Sequence, residues 1–199
     1  MLAKITSCAV VGLEGVLIDV EVDVHAGQVG MIDIVGLPDA AVQESRERVR
    51  SAIHNSKLAF PQKRVTINLA PADLRKVGPA YDLPIAVGIL AGGEQIPAVR
   101  SDSLFIGELS LDGTVRHVDG IISMASAARD AGIESLFIAA PDAPEAALVP
   151  DLTVYPVQSL GQLAMHLNNL LLIEPWVRDD DSLAHWQPEY ACDFAEIRG

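Results

Sequence analysis

The chain is poor in cysteine and in aromatic residues. Two cysteines, Cys8 and Cys192, stand far apart in 199 residues with no CxxC pair. That argues against a disulfide framework and fits a reduced, cytoplasmic protein. Aromatics make up 5% of the chain while half of it is apolar, so the core must be built from Val, Ile, Leu and Ala. No apolar run approaches the roughly 20 residues that cross a bilayer; Leu167–Ile173 is far too short. The first residues lack a basic stretch followed by an apolar one, so no signal peptide is indicated and no membrane partner is expected. There is no GxxxxGK[ST] phosphate loop and no HExxH or Cys/His spacing for a metal. The histidines (His25, His54, His117, His166, His185) are dispersed and read as surface or structural residues. Asp33 and Asp73 have no partner that would make an acid/base couple. No cofactor, metal or small-molecule substrate is expected for this chain.

Cations are scarce as well, and they are unevenly placed. Net charge is −13, against a whole-surface nucleic-acid binder. Yet eight cations, Arg46, Arg48, Arg50, Lys57, Lys63, Arg64, Arg75 and Lys76, face only Glu44, Glu47 and Asp73 between Glu44 and Lys76. From Glu174 to Gly199 the balance reverses, with Asp179-Asp180-Asp181 at its centre. A basic band on an acidic body suits a local anion or an acidic partner surface. The simpler reading is a solvated helix flank with local pairs such as Glu44 and Arg48. Aromatic interleaving is limited to Phe60 and Tyr81, which does not support a base-stacking groove.

Periodicity outlines the elements. Ala3–Val11 and Val16–His25 read as a hairpin, with Val16, Ile18, Val20, Val22 and Val24 on the buried face and Asp19, Glu21 and Asp23 on the wet one. Met31–Val35 is a strand. Ala40–Ser56 is a helix capped by Asp39, with Val42, Ser45, Val49, Ala52 and Ile53 as its core stripe. Strand Arg64–Leu69 leads to Gly78-Pro79 and a helix over residues 81–91, with Asp82 as its expected N-cap and Pro84 in the first turn. Leu104–Leu111 and Val115–Val118 flank Asp112-Gly113, a hairpin signal. Then follow a helix over 121–131, a strand over 135–139, a short helix over 142–149, a strand over 153–157 and a helix over 160–170. Hairpins first and αβ units later predict an α+β domain with a two-layer mixed sheet over residues 1–172. Residues 173–192 read as an acidic linker.

The segment Asn68-Leu69-Ala70-Pro71-Ala72-Asp73-Leu74-Arg75-Lys76, with Gly78-Pro79 and Tyr81-Asp82-Leu83-Pro84-Ile85-Ala86, resembles the N-terminal domain of the ComM/YifB family of bacterial AAA+ ATPases, often labelled magnesium-chelatase-like. Val35–Asp39, Glu44–Ala52 and Ile106–Gly113 fit the same family, so the resemblance runs in order over about residues 1–170. Residues 193–199, Asp-Phe-Ala-Glu-Ile-Arg-Gly, look like the start of the AAA+ module itself. The resemblance implies the fold shared by the Lon protease catalytic domain, the second domain of a small-subunit ribosomal protein and the GHMP kinases. It also implies a ring homo-oligomer that uses ATP and Mg2+, held by the rest of the protein, to act as a helicase on branched DNA in recombination or natural transformation.

Lon-type proteases use a Ser–Lys dyad, in which a lysine of lowered pKa activates the serine. Here Ala80 stands where the serine would be, and Ile122 where the lysine would be. A methyl group cannot attack a carbonyl and an isoleucine cannot accept a proton. Ser123 and Lys76 are the nearest substitutes in sequence. The expectation is therefore a catalytically dead accessory domain that positions DNA or subunits through the basic band. The alternatives are a purely ring-organising domain, a divergent peptidase, or a chelatase-linked motor, for which no residue here suggests metal insertion.

Overall fold

The structure is a computed structural model that describes residues 1–28 and 30–177. The linker from residue 178 onward, the 193–199 segment and Cys192 lie outside the described residues.

The chain begins with two long antiparallel strands, β1 (Leu2–Val11) and β2 (Glu14–His25). β2 alternates as the sequence predicts: Ile18, Val20, Val22 and Val24 are buried while Asp19, Glu21 and Asp23 stay wet. Next come β3 (Ile32–Val35), helix α1 (Ala40–Asn55) and β4 (Arg64–Ala70). A short 3-10 turn, Pro79–Tyr81, runs into α2 (Asp82–Gly92). The second half adds β5 (Ser103–Phe105), β6 (Glu108–Leu109), β7 (Val115–Arg116) and α3 (Ile121–Asp130), followed by β8 (Ser135–Ala139), α4 (Ala143–Ala146), β9 (Thr153–Val157) and α5 (Leu160–Leu167).

Seven strands form one mixed sheet in the order β3-β4-β2-β1-β5-β8-β9. β1, β2 and β4 pair antiparallel; β3 with β4, and the run β1-β5-β8-β9, pair parallel. β6 and β7 make a separate two-stranded ribbon. The α+β expectation therefore becomes, more specifically, a mixed α/β domain around a mostly parallel sheet.

The two-layer expectation needs correction. One face of the sheet packs α1, α2 and α5 over the large core that includes Ile5, Val20, Ile67 and Leu90. The other face is covered at its β1-β5-β8-β9 end by α3 and α4 over Cys8, Leu104, Ile138 and Met124. At the β3-β4-β2 end a polar face is left open, where the outward positions include Asp19, Glu21, Asp23, Thr66 and Asn68. α2 is buried along its whole length, as a helix apolar all round after its first residue must be. Gly88 and Gly92 let it approach β2, since a Cβ at either would run into Val22 or Val24.

Three other element boundaries differ from the sequence reading. The run Leu104–Leu111 does not form one strand; its two ends join different sheets around Ile106-Gly107. The helix from Leu160 stops at Leu167 and the chain turns left-handed at Asn169 (φ 56°), leaving Leu170–Leu172 exposed. Asp82 does not cap α2. It is the helix's first residue, and its carboxylate turns inward.

Candidate functional site

The motif segments converge on the N-terminal ends of α1 and α2. Asp39 caps α1, its carboxylate accepting from Val42 N at 2.8 Å. The loop before it needs Gly36: φ is +98° and any Cβ there would meet the Leu69 carbonyl. This loop zips onto the segment after β4. Lys76 N donates to Leu37 O (3.1 Å) and Asp39 N to Lys76 O (3.0 Å). Asp39 also accepts from Gly78 N at 3.3 Å.

Behind that zipper lies a fully buried carboxylate, Asp82. Arg48 reaches it from α1 with two hydrogen bonds, Nε at 2.7 Å and Nη2 at 3.0 Å. Ser45 Oγ donates to the same carboxylate, and Leu109 N donates to it at 3.2 Å. Donors from α1 and from β6 are thereby tied to one acceptor on α2, as a buried charge requires. The hydrogen bond from Arg48 to Asp82 raises the guanidinium's pKa despite partial burial.

This geometry divides the basic band. Arg48 is spent on Asp82, with Glu44 a second, longer partner at 3.8 Å. Lys76 is wholly buried, its Nζ donating to Pro71 O; burial lowers its pKa against the pull of Asp73. Arg64 pairs with Asp33 at 2.7 Å, the partner that the sequence reading did not supply. Arg50 donates to Gly30 O and lies over the Phe60 ring, 5.0 Å from its centroid. Arg46, Lys57, Lys63 and Arg75 are exposed and make no ion pair among the described residues. Arg46 lies near the middle of α1 and Arg75 next to Lys76, which zips onto the Asp39 loop, while Lys57 follows the helix and Lys63 precedes β4. Four cations of the band, Arg48, Arg50, Arg64 and Lys76, are therefore engaged or buried, and four are left without an ion pair among the described residues.

The two dyad positions also part company. Ala80 lines a cavity of about 200 Å3 together with Cys8, Arg75, Tyr81, Asp119 and Met124. Ile122 is not among its walls: it is 40% exposed and lines the groove beside Leu13 and Gly15. Met124 is the α3 residue that shares a cavity with Ala80. Ser123 donates to Leu13 O at 2.8 Å, in that outer groove and away from buried Lys76.

Sequence reasoning missed a second buried carboxylate, Asp142. It holds His117 Nδ1 and accepts from Val118 N at 3.3 Å, while His117 Nε2 lies 3.3 Å from Asp119. The neighbouring acids, Asp142 first, raise the His117 pKa. His166 is also structural: its Nδ1 accepts from Ile173 N at 2.9 Å beside the stacked rings of Phe137 and Tyr155. No helix among the described residues is long and apolar enough to cross a membrane.

These features define a mixed α/β domain held at a buried Asp–Arg–Ser junction. The chain belongs to the family of subunit ChlI of Mg-chelatase, whose model matches residues 20–142, as an N-terminal domain of the ComM/YifB type. It is 43% identical over 168 residues to the competence protein ComM of Haemophilus influenzae, covering 84% of this chain and 33% of ComM. It is 49% identical over 125 residues to the uncharacterized protein YifB of Escherichia coli, covering 62% of this chain and 24% of YifB. A more distant relative is the DNA repair protein RadA of Listeria monocytogenes, 28% identical over 144 residues, 66% of this chain and 31% of RadA. The chain thus spans only about a quarter to a third of the length of these relatives.

Proposed function

We propose that the chain is the non-catalytic N-terminal domain of a ComM-like AAA+ ATPase that acts on branched DNA, and that Arg46, Lys57, Lys63 and Arg75 contact the DNA backbone. The observation that carries this reading is that these four cations are left exposed and unpaired among the described residues of a strongly acidic chain. The descriptions of ComM as a competence protein and of RadA as a DNA repair protein support DNA as the partner. ATP and Mg2+ would be used by the remainder of the polypeptide, and the ring would assemble through it. The antiparallel β1-β2-β4 unit fused to the parallel β1-β5-β8-β9 run supports a Lon-protease-like fold. Ala80 in the nucleophile position supports a domain without peptidase activity.

Phosphate contacts of this kind are independent of sequence and steep in salt. Four contacts give a log–log salt slope of about −3 to −4. The test is binding of duplex and forked DNA at low salt by the chain and by its Arg46→Glu, Lys57→Glu, Lys63→Glu, Arg75→Glu variant. The reading expects weaker binding and a flatter slope in the variant. Unchanged affinity overturns it in favour of the ring-organising role. That second reading has its own support, since the open face of β2 carries Asp19, Glu21 and Asp23, an acidic counterpart for the same cations on a neighbouring copy.

A further inference from the structure

The Ala80 cavity lies beside the carboxyl end of β1, one of four parallel-paired strands, where open α/β sheets leave a crevice for ligands. It also lies against the N-terminal end of the 3-10 turn and of the eleven-residue helix α2 that continues it. That end is positive by dipole. Its Ala80 N–H finds no acceptor among the described residues, as expected of a first-turn amide.

A second observation points independently to a ligand. Tyr81 lines the cavity and is only 1% exposed. Its hydroxyl makes no hydrogen bond to any described residue, and burial raises its pKa, so it is held as a neutral donor. The hydroxyl is not among the fully enclosed unpaired atoms, so it has only water in the cavity to bond with, which a ligand oxygen can replace. Arg75, exposed and without an ion pair among the described residues, supplies a cation at the rim. Val10, Val77 and Met124 supply apolar wall.

We infer that this cavity binds a carboxylate carried on a short apolar body, with Tyr81 Oη, Arg75 and the Ala80 N–H as its donors. A monoanion is favoured over a phosphate dianion because Asp119 stands on the same rim, its charge only partly offset by His117 at 3.3 Å. Cys8 adds no charge; burial pushes its thiol up to about 11. A volume of about 200 Å3 suits a branched residue of valine size. Two sources share this chemistry: the C-terminus of a polypeptide and a free short-chain carboxylic acid.

The experiment is calorimetric titration of the 199-residue chain with isovalerate, with acetyl-Ala-Ala-Val bearing a free carboxylate, with the same peptide as its amide, and with inorganic phosphate. The inference expects saturable binding of at least one carboxylate, weakened roughly tenfold or more in the amide and in Arg75→Gln. Tyr81→Phe is the sharper variant. It removes no protein hydrogen bond, so its urea midpoint should hold or rise, while carboxylate affinity falls several-fold. A peptide binding about tenfold tighter than isovalerate identifies a polypeptide terminus; the reverse order identifies a free acid. Absence of saturable binding, equal binding of acid and amide, indifference to Tyr81→Phe, or tighter binding of phosphate overturns the inference.

Discussion

Asp82 and Asp142 are both buried carboxylates, 0% and 3% exposed, but the two ends of the molecule hold them differently. Asp82 sits under α1 and α2 and is met by a guanidinium, a hydroxyl and a backbone amide. Asp142 sits where β7 meets the turn before α4 and is met by an imidazole and one amide. Arg48 is a permanent cation with a planar fork. His117 is a cation only below its own pKa, and its side chain is 56% exposed. The comparison teaches that a buried acid becomes a fixed structural junction or a pH-dependent one according to its partner, at similar burial.

The largest effect should come from Asp82→Asn. It leaves Arg48 with no buried counter-charge and weakens the links between α1, α2 and β6. Breaking one side of a buried ion pair costs about 3–5 kcal/mol, and the urea midpoint at constant slope reads it. The same loss should appear at pH 5.5 and pH 8, because the Arg48 guanidinium is a cation at both. A smaller effect is expected of Arg48→Lys. It keeps the charge but replaces a two-bonded fork with a single ammonium, a loss of about 2 kcal/mol. If Arg48→Lys is neutral, the fork geometry contributes nothing and charge alone holds the junction.

Next in size is His117. Its folded pKa is raised from the ordinary value near 6.5, with Asp142 the first cause. Its contribution to stability is therefore complete below that ordinary value and is lost as pH rises through the raised folded value. Solvent screening at this exposed side chain keeps it to roughly 0.5 kcal/mol or less. Urea midpoints from pH 6 upward should fall slightly in the parent and be flatter in His117→Gln. An equal fall in both would assign the pH dependence elsewhere and remove the contrast with Asp82.

Local sequence determines much of this architecture. The alternation of β2, the Asp39 cap and the stripe Val42–Ile53 follow from period and capping alone, because they involve residues a few positions apart. The Asp82–Arg48 bond joins residues 34 positions apart and had a local competitor. Asp82 next to Pro84 looks like a cap by every local rule, and only the approach of α1 to α2 turns its side chain inward. The same holds for Arg64 and Asp33, on parallel neighbours β3 and β4. Charge counting grouped the eight cations by sequence, but the burial of Lys76 and the ion pairs of Arg48 and Arg64 take members out of the band. Ile122, placed by resemblance alone, lies in the outer groove beside α3 and does not share the Ala80 cavity.

Cys8 offers the finest reading of the two regions, since it lies on β1 between them and packs into the core under α3. While Cys8 is buried its thiol is held near 11, so only about a thousandth is thiolate at pH 8, and opening that admits solvent removes the burial that causes the shift. Its alkylation in the folded protein should therefore report opening of the α3 side. Peptide-level mass spectrometry separates it from Cys192. Substitution of His117 loosens the turn before α4, which packs on α3, so Cys8 labelling should rise modestly in His117→Gln at pH 6 and less at pH 8, where the parent has begun to lose the same contact. Asp82→Asn, acting from the opposite face of the sheet, should raise labelling only as far as it lowers global stability, and equally at both pH values. A pH-independent rise in His117→Gln would mean that the imidazole acts by packing and not by charge, and the two carboxylates would then be held by the same kind of force after all.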